Sequence, residues 1–402
     1  MKRKVLREKG QALILIALAI VGLTGFAALA VDGGTALSDR RHAQNAADTA
    51  AFAAALAKTH GEDWVASGMS QAEINGYQND GQSNIVHVHC PPENGQYAGN
   101  QEYVEVIIES NVQTTFGRVL GVNQVHNQVQ AVIHASTAKT APLYSGAAMV
   151  ALKPDGRGAF RSHGTNSTSI IGSGIFVNSN DDCAFEQVGN SVIETPSGVQ
   201  IVGGACLHGS VTPANSITPG AAPIPYPPAN LPPEPTCTQD AVQNDDTLSP
   251  GNWSGNFPPR GVMYLQPGIY CVDGMFMVNA HDTLIGDNVL IYMRSGNVHW
   301  DGNAQINLTA TLSGPYTGLL IYMPMSNDEG MIINGNSDSS FVGTFLAPAS
   351  DVQINGTAGS EGYHSQVIGY TIDLIGTADL SIEYNQNENL LVSFPPMLEL
   401  VE

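Results

Sequence analysis

Residues 12–31 read ALILIALAIVGLTGFAALAV, a stretch of twenty residues without a charged side chain. A helix of this length rises about 30 Å, which matches the hydrocarbon core of a bilayer. The leader before it, MKRKVLREKG, carries five basic residues and one acidic residue. A basic flank stays on the cytoplasmic side of a membrane. The stretch therefore predicts a membrane-spanning helix that places all later residues outside the cytoplasm.

A cleaved secretory signal is the alternative interpretation of the same stretch. Ala28-Leu29-Ala30 is a usable cleavage motif, and the basic start fits a signal peptide. The apolar stretch is longer than an ordinary signal core, however. The helix-prone run QNAADTAAFAAALA at 44–57 also continues beyond it. Both features favour a retained helix.

Three short motifs follow one another along this segment: Gly10-Gln11, Ala30-Val31-Asp32 and Gln44-Asn45-Ala46-Ala47-Asp48. With the basic leader and the apolar helix, they resemble the N-terminal region of the TadE/TadG-like proteins of Tad (tight adherence) pilus assembly. The resemblance implies a pilin-like helix at 11–60 after a basic leader at 1–10. It also implies contacts of residues 12–57 with membrane lipid or with a filament core. Other pilus-like subunits, or further copies of this chain, are the implied protein partners.

The resemblance also implies a processing site. Prepilins of related systems are cut after a glycine, so Gly10 is the candidate cleavage residue and Gln11 the candidate first residue of the mature chain. Such prepilins usually carry a glutamate five residues into the mature chain. Leu15 stands at that position here. This departure resembles TadG more than TadE or a major pilin.

Residues 61–140 predict a small α+β neck. Alternating or continuous β-prone residues indicate strands, and two short runs indicate helices. The predicted strands are Asn84–His89, Tyr103–Ser110 and Gln124–Ala135, and the predicted helices are Ser70–Asn79 and Thr114–Leu120. One long helix laid against a small antiparallel sheet is the expected arrangement.

Residues 141–402 predict an all-β unit. Short β-prone runs alternate with Gly, Asn, Asp and Ser, and helix signals are absent from this part of the sequence. Glycines recur at intervals of 20 to 33 residues, at 302, 335, 356 and 376. Such periods favour a parallel β-helix, and a β-sandwich is the alternative. The expected fold is therefore α+β, with the helix and its sheet followed by the β-helix.

The cysteines support export, since five of them fit an oxidising location. The four cysteines at 183, 206, 237 and 271 allow three pairings. Neighbouring coils of a β-helix lie about 4.8 Å apart, within the Cα separation that a disulfide accepts. Cys183 and Cys206 are about one coil apart, so we expect the pairs Cys183–Cys206 and Cys237–Cys271. Four reduced, buried cysteines are the alternative, and Cys90 is left unpaired.

Nine prolines fall within 212–236, where the sequence includes PIPYPPANLPPEPT. This composition predicts an extended polyproline II segment. A strap along the coil stack is the favoured interpretation. A linker between subdomains and a partner-binding segment are the alternatives.

The charge balance limits the partners. The chain has 15 Lys and Arg against 36 Asp and Glu, with a formal net charge of −21. From Ser162 onwards only Arg260 and Arg294 are basic. Such a surface repels phosphate backbones, so no nucleic-acid partner is expected.

Catalytic chemistry is not expected. Asp181-Asp182-Cys183 resembles the Asp-Asp-Cys motif of β-helix polygalacturonases, whose paired carboxylates cleave glycosidic bonds. The sequence has no Gly-His-Gly and no lysine after Lys153 to hold an anionic sugar. A polar turn before a disulfide cysteine is the simpler interpretation.

No cofactor or metal site is predicted. His87 and His89 share one strand face but lack further ligands in sequence. Acid and amide clusters offer oxygen ligands to Ca²⁺, although none has the spacing of a known calcium loop. These clusters are Asp181-Asp182, Asp245-Asp246, Asp328-Glu329 and Asn336-Ser337-Asp338. Solvated turns explain them equally well.

The expected function is structural: a cell-surface, TadE/TadG-like subunit that is membrane-anchored or incorporated in a filament and displays an acidic β-helix for coating or adhesion. A glycan-binding adhesin is one alternative, with Trp253 and Trp300 as candidate sugar contacts. A polysaccharide-degrading β-helix enzyme is the other alternative.

Overall fold

A computed structural model describes residues 11–165, 167–334, 339–355, 363–376 and 379–401. The leader 1–10 with Gly10, the repeat glycines Gly335 and Gly356, and the cluster Asn336–Asp338 lie outside the described residues. The chain divides into two compact units, with boundaries at 139/140 and 393/394.

The helices lie almost entirely in the first unit. They are α1 (Gln11–Ala27), a π-helical turn (Ala28–Asp32), α2 (Gly33–Thr59) and α3 (Trp64–Ile74), with 3₁₀ turns at Gly117–Leu120 and Leu143–Gly146. The helix continues through Gly33, which has helical φ and ψ of −63° and −42°. Its irregularity is the π turn just before this glycine. α3 begins earlier than predicted because the Asp63 side chain caps it, accepting a hydrogen bond from the Ala66 N–H at 3.0 Å.

The described residues form 32 strands. In chain order they are β1 (Asn84–His89), β2 (Tyr103–Gln113), β3 (Gln124–Ser136), β4 (Lys139–Pro142), β5 (Met149–Ala151), β6 (Phe160–Gly164), β7 (Ser167–Ile171), β8 (Ile175–Val177), β9 (Phe185–Gly189), β10 (Val192–Glu194), β11 (Val199–Ile201), β12 (Ala205–Cys206), β13 (Ser210–Thr212), β14 (Ile217–Pro219), β15 (Gln243–Asn244), β16 (Thr247–Leu248), β17 (Gly251–Ser254), β18 (Tyr264–Leu265), β19 (Gly268–Asp273), β20 (Phe276–Val278), β21 (Thr283–Ser295), β22 (Val298–Trp300), β23 (Gln305–Ala310), β24 (Leu319–Tyr322), β25 (Met331–Asn334), β26 (Ser340–Val342), β27 (Thr344–Asn355), β28 (Tyr363–His364), β29 (Val367–Gly376), β30 (Leu380–Glu383), β31 (Leu391–Phe394) and β32 (Met397–Leu400).

The first unit contains a four-stranded antiparallel sheet in the order β1-β2-β3-β32. Its first three strands begin where the sequence predicted. The fourth corrects the predicted extent of the β-helix: β32 pairs with β3 through Ile133 and Leu400. The end of the chain therefore completes the first sheet.

The second unit is a parallel β-solenoid of about 10 turns, as expected in preference to a sandwich. Its strands stack into three faces, and the long strands β21, β27 and β29 each contribute to two of them. Face A stacks β17-β19-β21-β24-β27-β29-β5-β8-β11-β14; face B stacks β20-β22-β25-β27-β29-β6-β9-β12; face C stacks β16-β18-β21-β23-β26-β28-β30-β7-β10-β13.

The turns are not stacked in chain order. The chain enters in the middle at β5, β6 and β7 and builds towards one end at β14. The Pro-rich segment follows, and the chain resumes at the opposite end with β16 and β17. It then builds back until β29 and β30 pair with the entry turn, through Val367 with Met149 and Leu380 with Thr168. We call this junction the seam.

Large side chains fill the inside of the solenoid. Phe276, Trp300, Phe341 and Tyr363 form a continuous row of ring contacts with centroids 5.0–5.3 Å apart. Phe160 stacks on Phe185 at 5.0 Å beyond the seam. All of these rings are buried.

The Pro-rich segment is a strap along the outer surface of face A. Strand alternation turns Met149 and Ala151 towards the core and Val150 outwards, yet Val150 is also fully buried. The outward row that includes Val150 is apolar throughout: Cys271, Tyr292, Tyr322, Leu346, Ile368, Val150 and Phe176. A sheet buried on both faces reads as continuous apolar runs, which explains the sequences of these strands.

Hydrogen bonds attach the strap along its length. Asn178 bonds both backbone groups of Ile224, donating to its carbonyl at 2.9 Å and accepting from its N–H at 2.7 Å. Tyr322 donates to the Pro232 carbonyl at 3.2 Å, and Tyr292 donates to the Glu234 carboxylate at 2.7 Å. Ile224 to Cys237 covers about 40 Å as polyproline II, which is ample for six strand steps of about 29 Å.

Two disulfides are present, and they are the expected pairs. Cys183–Cys206 joins successive turns at a Cα separation of 5.0 Å, and Cys237–Cys271 fastens the end of the strap to β19 at 6.1 Å. Cys90 is a free, half-buried thiol.

Candidate functional site

The candidate functional site is the N-terminal helix with the sheet that receives it. One face of α2 consists of alanines, all of them buried. They are Ala43, Ala46, Ala47, Ala50, Ala51, Ala54, Ala55 and Ala57. Spacings of three and four residues place them along one side of the helix, which packs against α3, β2 and β3. Since each contributes only a methyl group, the helix lies close to the sheet.

Close approach extends to α3. A Cβ on Gly68 would lie 3.1 Å from the Ala54 Cβ and 3.2 Å from both methyl groups of Val88. Gly68 therefore lets α3 reach α2 and β1 together. This contact explains a helical glycine that costs about 1 kcal/mol of helix propensity relative to alanine.

The Gln44–Asp48 motif attaches α2 to β3. The Gln44 side-chain amide donates to the Gln130 carbonyl at 2.8 Å and to the Asp48 carboxylate at 2.9 Å. Asp48 thereby holds the amide in the orientation that reaches the strand. The two alanines between them are buried. The motif thus combines close packing with a directed polar contact.

Asp39 forms a second polar contact between α2 and the sheet. Its carboxylate accepts hydrogen bonds from the Ser110 hydroxyl and from the Asn127 amide, the latter at 2.8 Å. The Tyr77 hydroxyl lies 3.4 Å from the same carboxylate. Burial, followed by the charge of Asp39, raises the pKa of Tyr77. The phenol therefore stays a neutral donor at physiological pH.

Asp32 fixes the turn at Gly117–Leu120 to the helix. Its carboxylate accepts three backbone hydrogen bonds, from Thr115 at 2.8 Å, Phe116 at 3.0 Å and Gly117 at 2.7 Å. The side chain is buried, and a Cβ on Gly117 would lie 3.3 Å from it. Three converging N–H donors form a suitable site for a carboxylate. The position of this turn relative to the helix is therefore specified by one residue.

The Ala30-Val31-Asp32 step is visible in the sequence, but the partner of Asp32 is not. The available signal was the carboxylate itself, placed directly after twenty residues without a charge. A buried carboxylate needs several donors. The sequence does not reveal which loop supplies them.

In contrast to the buried alanine face of α2, the large apolar side chains of α1 are exposed. These leucine, isoleucine, valine and phenylalanine side chains include Leu15 at the departure from the prepilin pattern. Within the described residues, Ala12–Thr59 is one helical stretch long and apolar enough to cross a membrane. None of its most apolar window is buried among the described residues. Gln11 begins α1, and its proposed cleavage partner Gly10 lies outside the described residues.

The two tryptophans proposed as sugar contacts occupy different environments. Trp300 is fully buried among Phe276, Phe341 and Phe345, so its assignment as a glycan contact was wrong. Inward-facing strand positions in a solenoid fill the core. Trp253 is half-buried, and its indole N–H donates to the Asn256 carbonyl at 2.9 Å.

The remaining sequence candidates lie in separate places. Asp181 caps the turn before the first disulfide by accepting a hydrogen bond from the Cys183 N–H at 2.8 Å. His87 and His89 stack with centroids 5.8 Å apart on β1. Among the described residues, no group of three or more His, Cys, Asp or Glu side chains is arranged to hold a metal ion.

Comparison with known proteins bears on the helical segment. Residues 10–57 match the family model described as "Putative Flp pilus-assembly TadE/G-like". No curated protein and no solved structure matches the chain. The match confirms the predicted resemblance, and it covers the exposed helix, Asp32, Asp39 and the Gln44–Asp48 motif. This chain therefore carries a Tad TadE/G-like segment over its N-terminal helix.

Proposed function

We propose that this chain is a structural, non-catalytic subunit associated with a Tad-type pilus apparatus. The N-terminal helix holds it in the cytoplasmic membrane or in a filament core, and the acidic solenoid is displayed on the outer side. The observation that carries the proposal is the bare apolar surface of α1. The helix that carries this surface continues into α2. Asp32 attaches the helix to the turn after β2, and Asp39 and Gln44 attach it to the sheet.

The helix has the dimensions for this role. Gln11–Thr59 rises about 70 Å, of which the apolar part alone can cross a bilayer core. The buried alanines all lie after Val31, the last residue of the apolar stretch. A single rod therefore has one part suited to lipid or to neighbouring helices and another part suited to its own sheet.

Export of the rest of the chain has independent support. Two disulfides fit an oxidising compartment, and the basic leader favours a cytoplasmic N-terminus. The net charge of −21 keeps a displayed solenoid soluble and discourages non-specific association. Surface coating or adhesion is the role that we assign to the solenoid.

A fractionation experiment tests the proposal. Intact cells are treated with protease, and the wild-type chain is compared with Leu18→Asp in α1 and Leu312→Asp in the solenoid, two exposed leucines. We expect the wild type and Leu312→Asp in the membrane or sheared-pilus fraction, with the solenoid accessible to external protease. We expect Leu18→Asp to be depleted from that fraction, because a charge near the bilayer centre costs about 2.5–3.5 kcal/mol.

The mature N-terminus distinguishes the two forms of the proposal. Gln11 as the first residue, with the chain in sheared fibres, supports incorporation in a filament. Met1 as the first residue, with the chain in the membrane, supports a retained anchor. A first residue at Val31, or a wild-type chain found in the cytosol with reduced cysteines, contradicts the proposal.

A further inference from the structure

Exposed residues surround the point where α1 passes into α2. They comprise three apolar and three basic side chains: Leu37, Val119, Val122, Arg40, Arg41 and Arg118. We call them the interface belt. All six belong to the first unit, and among the described residues of that unit the apolar three are exposed, with Val119 72% exposed and Leu37 64% exposed.

We propose that the interface belt is a second membrane contact, in which the apolar side chains enter the boundary of the lipid bilayer and the arginines bind lipid phosphates. This inference rests on the proposed membrane anchoring. It goes further, because it gives the turn after β2 a role and fixes how deeply the protein sits.

The turn of the belt lies at the end of the apolar stretch. Asp32 directly follows the apolar stretch, so it lies where the helix leaves the hydrocarbon core. The three hydrogen bonds from Thr115, Phe116 and Gly117 hold the turn at that level. The turn also contacts α1 itself. Val119 and Val122 therefore lie beside the emerging helix.

The turn is closed by its own backbone hydrogen bonds. The Val122 N–H donates to the Gly117 carbonyl at 3.0 Å, and the Val119 N–H donates to the Phe116 carbonyl at 3.1 Å. Gly121 closes the turn with a φ of +86°, which a side-chain-bearing residue adopts only at a cost. A closed turn presents its valines without a large ordering cost.

The arginines of the belt lie next to its apolar side chains. Leu37, Arg40 and Arg41 have the spacing i, i+3 and i+4, so they share one face of α2. Helical side chains lean towards the N-terminus, which here is the membrane side. Arg40 lies about 12 Å beyond Asp32 along the helix, and its long side chain spans much of that distance. Arg40 and Arg41 on α2 and Arg118 in the turn concentrate positive charge near the end of the apolar stretch, in a chain of net charge −21.

Lipid is the occupant that fits both properties. Phosphate headgroups lie directly above the acyl chains, so an arginine can bind phosphate while an apolar neighbour enters the boundary. The turn of the belt contacts α1, whose bare surface the proposed function already assigns to lipid. A neighbouring subunit in a filament is the competing occupant.

Depth-dependent fluorescence quenching tests the inference on the full chain. In a Cys90→Ser background, an environment-sensitive NBD label is placed at Val119→Cys, Leu18→Cys or Leu56→Cys. The protein is reconstituted in phospholipid vesicles that carry a quencher on the acyl chain, either near the headgroup or near the tail end. Leu56 is the matched control because it is 48% exposed and lies about 36 Å beyond Asp32 on the same rod.

We expect the Val119 label to be quenched at least threefold more by the shallow quencher than the Leu56 label. We expect the Leu18 label to respond most to the deep quencher. If Leu18 is quenched and Val119 behaves like Leu56, anchoring stands and the belt inference fails. If Leu18 is not quenched, the proposed anchoring and the belt inference fail together.

A second variant guards against a misfolded turn. Leu37→Cys lies on the belt through α2 alone, so its label reports depth without altering the turn. Shallow quenching at Leu37 together with Val119 supports the belt. Quenching of neither label in vesicles, when Leu18 is quenched, overturns it and favours the neighbouring subunit as occupant.

Discussion

The helix–sheet unit and the solenoid solve the packing of an extended apolar surface in opposite ways. In the first unit, the apolar face of α2 consists of alanine methyl groups, and α3 approaches it through Gly68, which has no side chain. In the second unit, stacked rings such as Trp300 and Phe341 fill the interior. The stability of the first unit should therefore fall when a buried side chain is enlarged, and that of the second unit when a buried side chain is truncated. Five predictions test and sharpen this comparison.

The largest effect is expected for Trp300→Ala in the solenoid. Removal of a buried indole from a row of rings should lower the free energy of unfolding by about 3–5 kcal/mol. Denaturant unfolding measures the loss, with Trp253→Ala as the matched control at a half-buried position. Equal losses for the two variants would contradict the assignment of Trp300 to the core.

The next effect concerns the strap. Cys237→Ser/Cys271→Ser should cost about 2–4 kcal/mol, because the disulfide closes a loop across 34 residues. Cys183→Ser/Cys206→Ser is the control for a shorter closure across 23 residues, which does not involve the strap.

The same variant should change the alkaline titration of the tyrosines beneath the strap. Burial is the main cause that raises the pKa of Tyr322 to about 12, and burial with the Glu234 carboxylate raises that of Tyr292. Loosening of the strap should lower both pKa values towards 10. Ultraviolet difference spectra follow the phenolate. An unchanged titration would mean that the strap stays in place without its disulfide.

A smaller loss is expected from added volume in the first unit. Ala54→Leu inserts three heavy atoms between α2, α3 and β1, and should destabilise by about 1–3 kcal/mol. Ala53→Leu, at a half-exposed neighbouring position, should be close to neutral. Thermal unfolding of both variants gives the comparison. If Ala54→Leu is as stable as Ala53→Leu, the close-packing account of the alanine face fails.

The smallest effect is expected at the charged pairs near the seam. The Arg157 hydrogen bond, the largest cause, lowers the pKa of Glu186 below its ordinary value of 4.5, and Arg161 adds to this. The folded pKa is lower than the unfolded one, so this stabilisation is present above about pH 4.5 and is lost as the pH falls through the folded value.

Glu186→Gln should therefore lose stability at neutral pH but show a shallower decline in acid. Both arginines are substantially exposed, so the difference should stay below about 1 kcal/mol. Unfolding measured from pH 7 to pH 3 provides the test, with the exposed Glu194→Gln as control. A parallel pH dependence of Glu186→Gln and the wild type would exclude a role for this pair.

Much of the fold was predictable because its signals are local. Twenty uncharged residues specify α1, strand alternation specifies β1 to β3, and spaced glycines with short apolar runs indicate coils. Coil length even suggested the disulfide pairs. Gly376 marks the limit of local signals: it was identified as one of the spaced glycines, and the structure stacks it on Gly164 and Gly189, whose added Cβ atoms would meet backbone oxygens at 2.2 and 2.5 Å. Their alignment across the seam is invisible in sequence.

The errors share a cause. Trp300 was named as a possible sugar contact because local sequence does not distinguish the inner from the outer side of a short strand. The last strand was assigned to the β-helix because its partner, β3, lies more than 250 residues earlier in the chain. In the candidate site, the Gln44–Asp48 motif was recognised, but its contact with Gln130 was not.

The linear chain determined by itself where apolar surface occurs and how often it recurs, since both follow from residue type and spacing. Those patterns specified the long helix, the short strands and the proline-rich segment. Tertiary structure alone decided which surfaces meet: α2 with its sheet, the turn after β2 with Asp32, and the final coil with the first. Pairing between distant segments depends on the geometry of both partners at once, and one segment of sequence carries only half of that information.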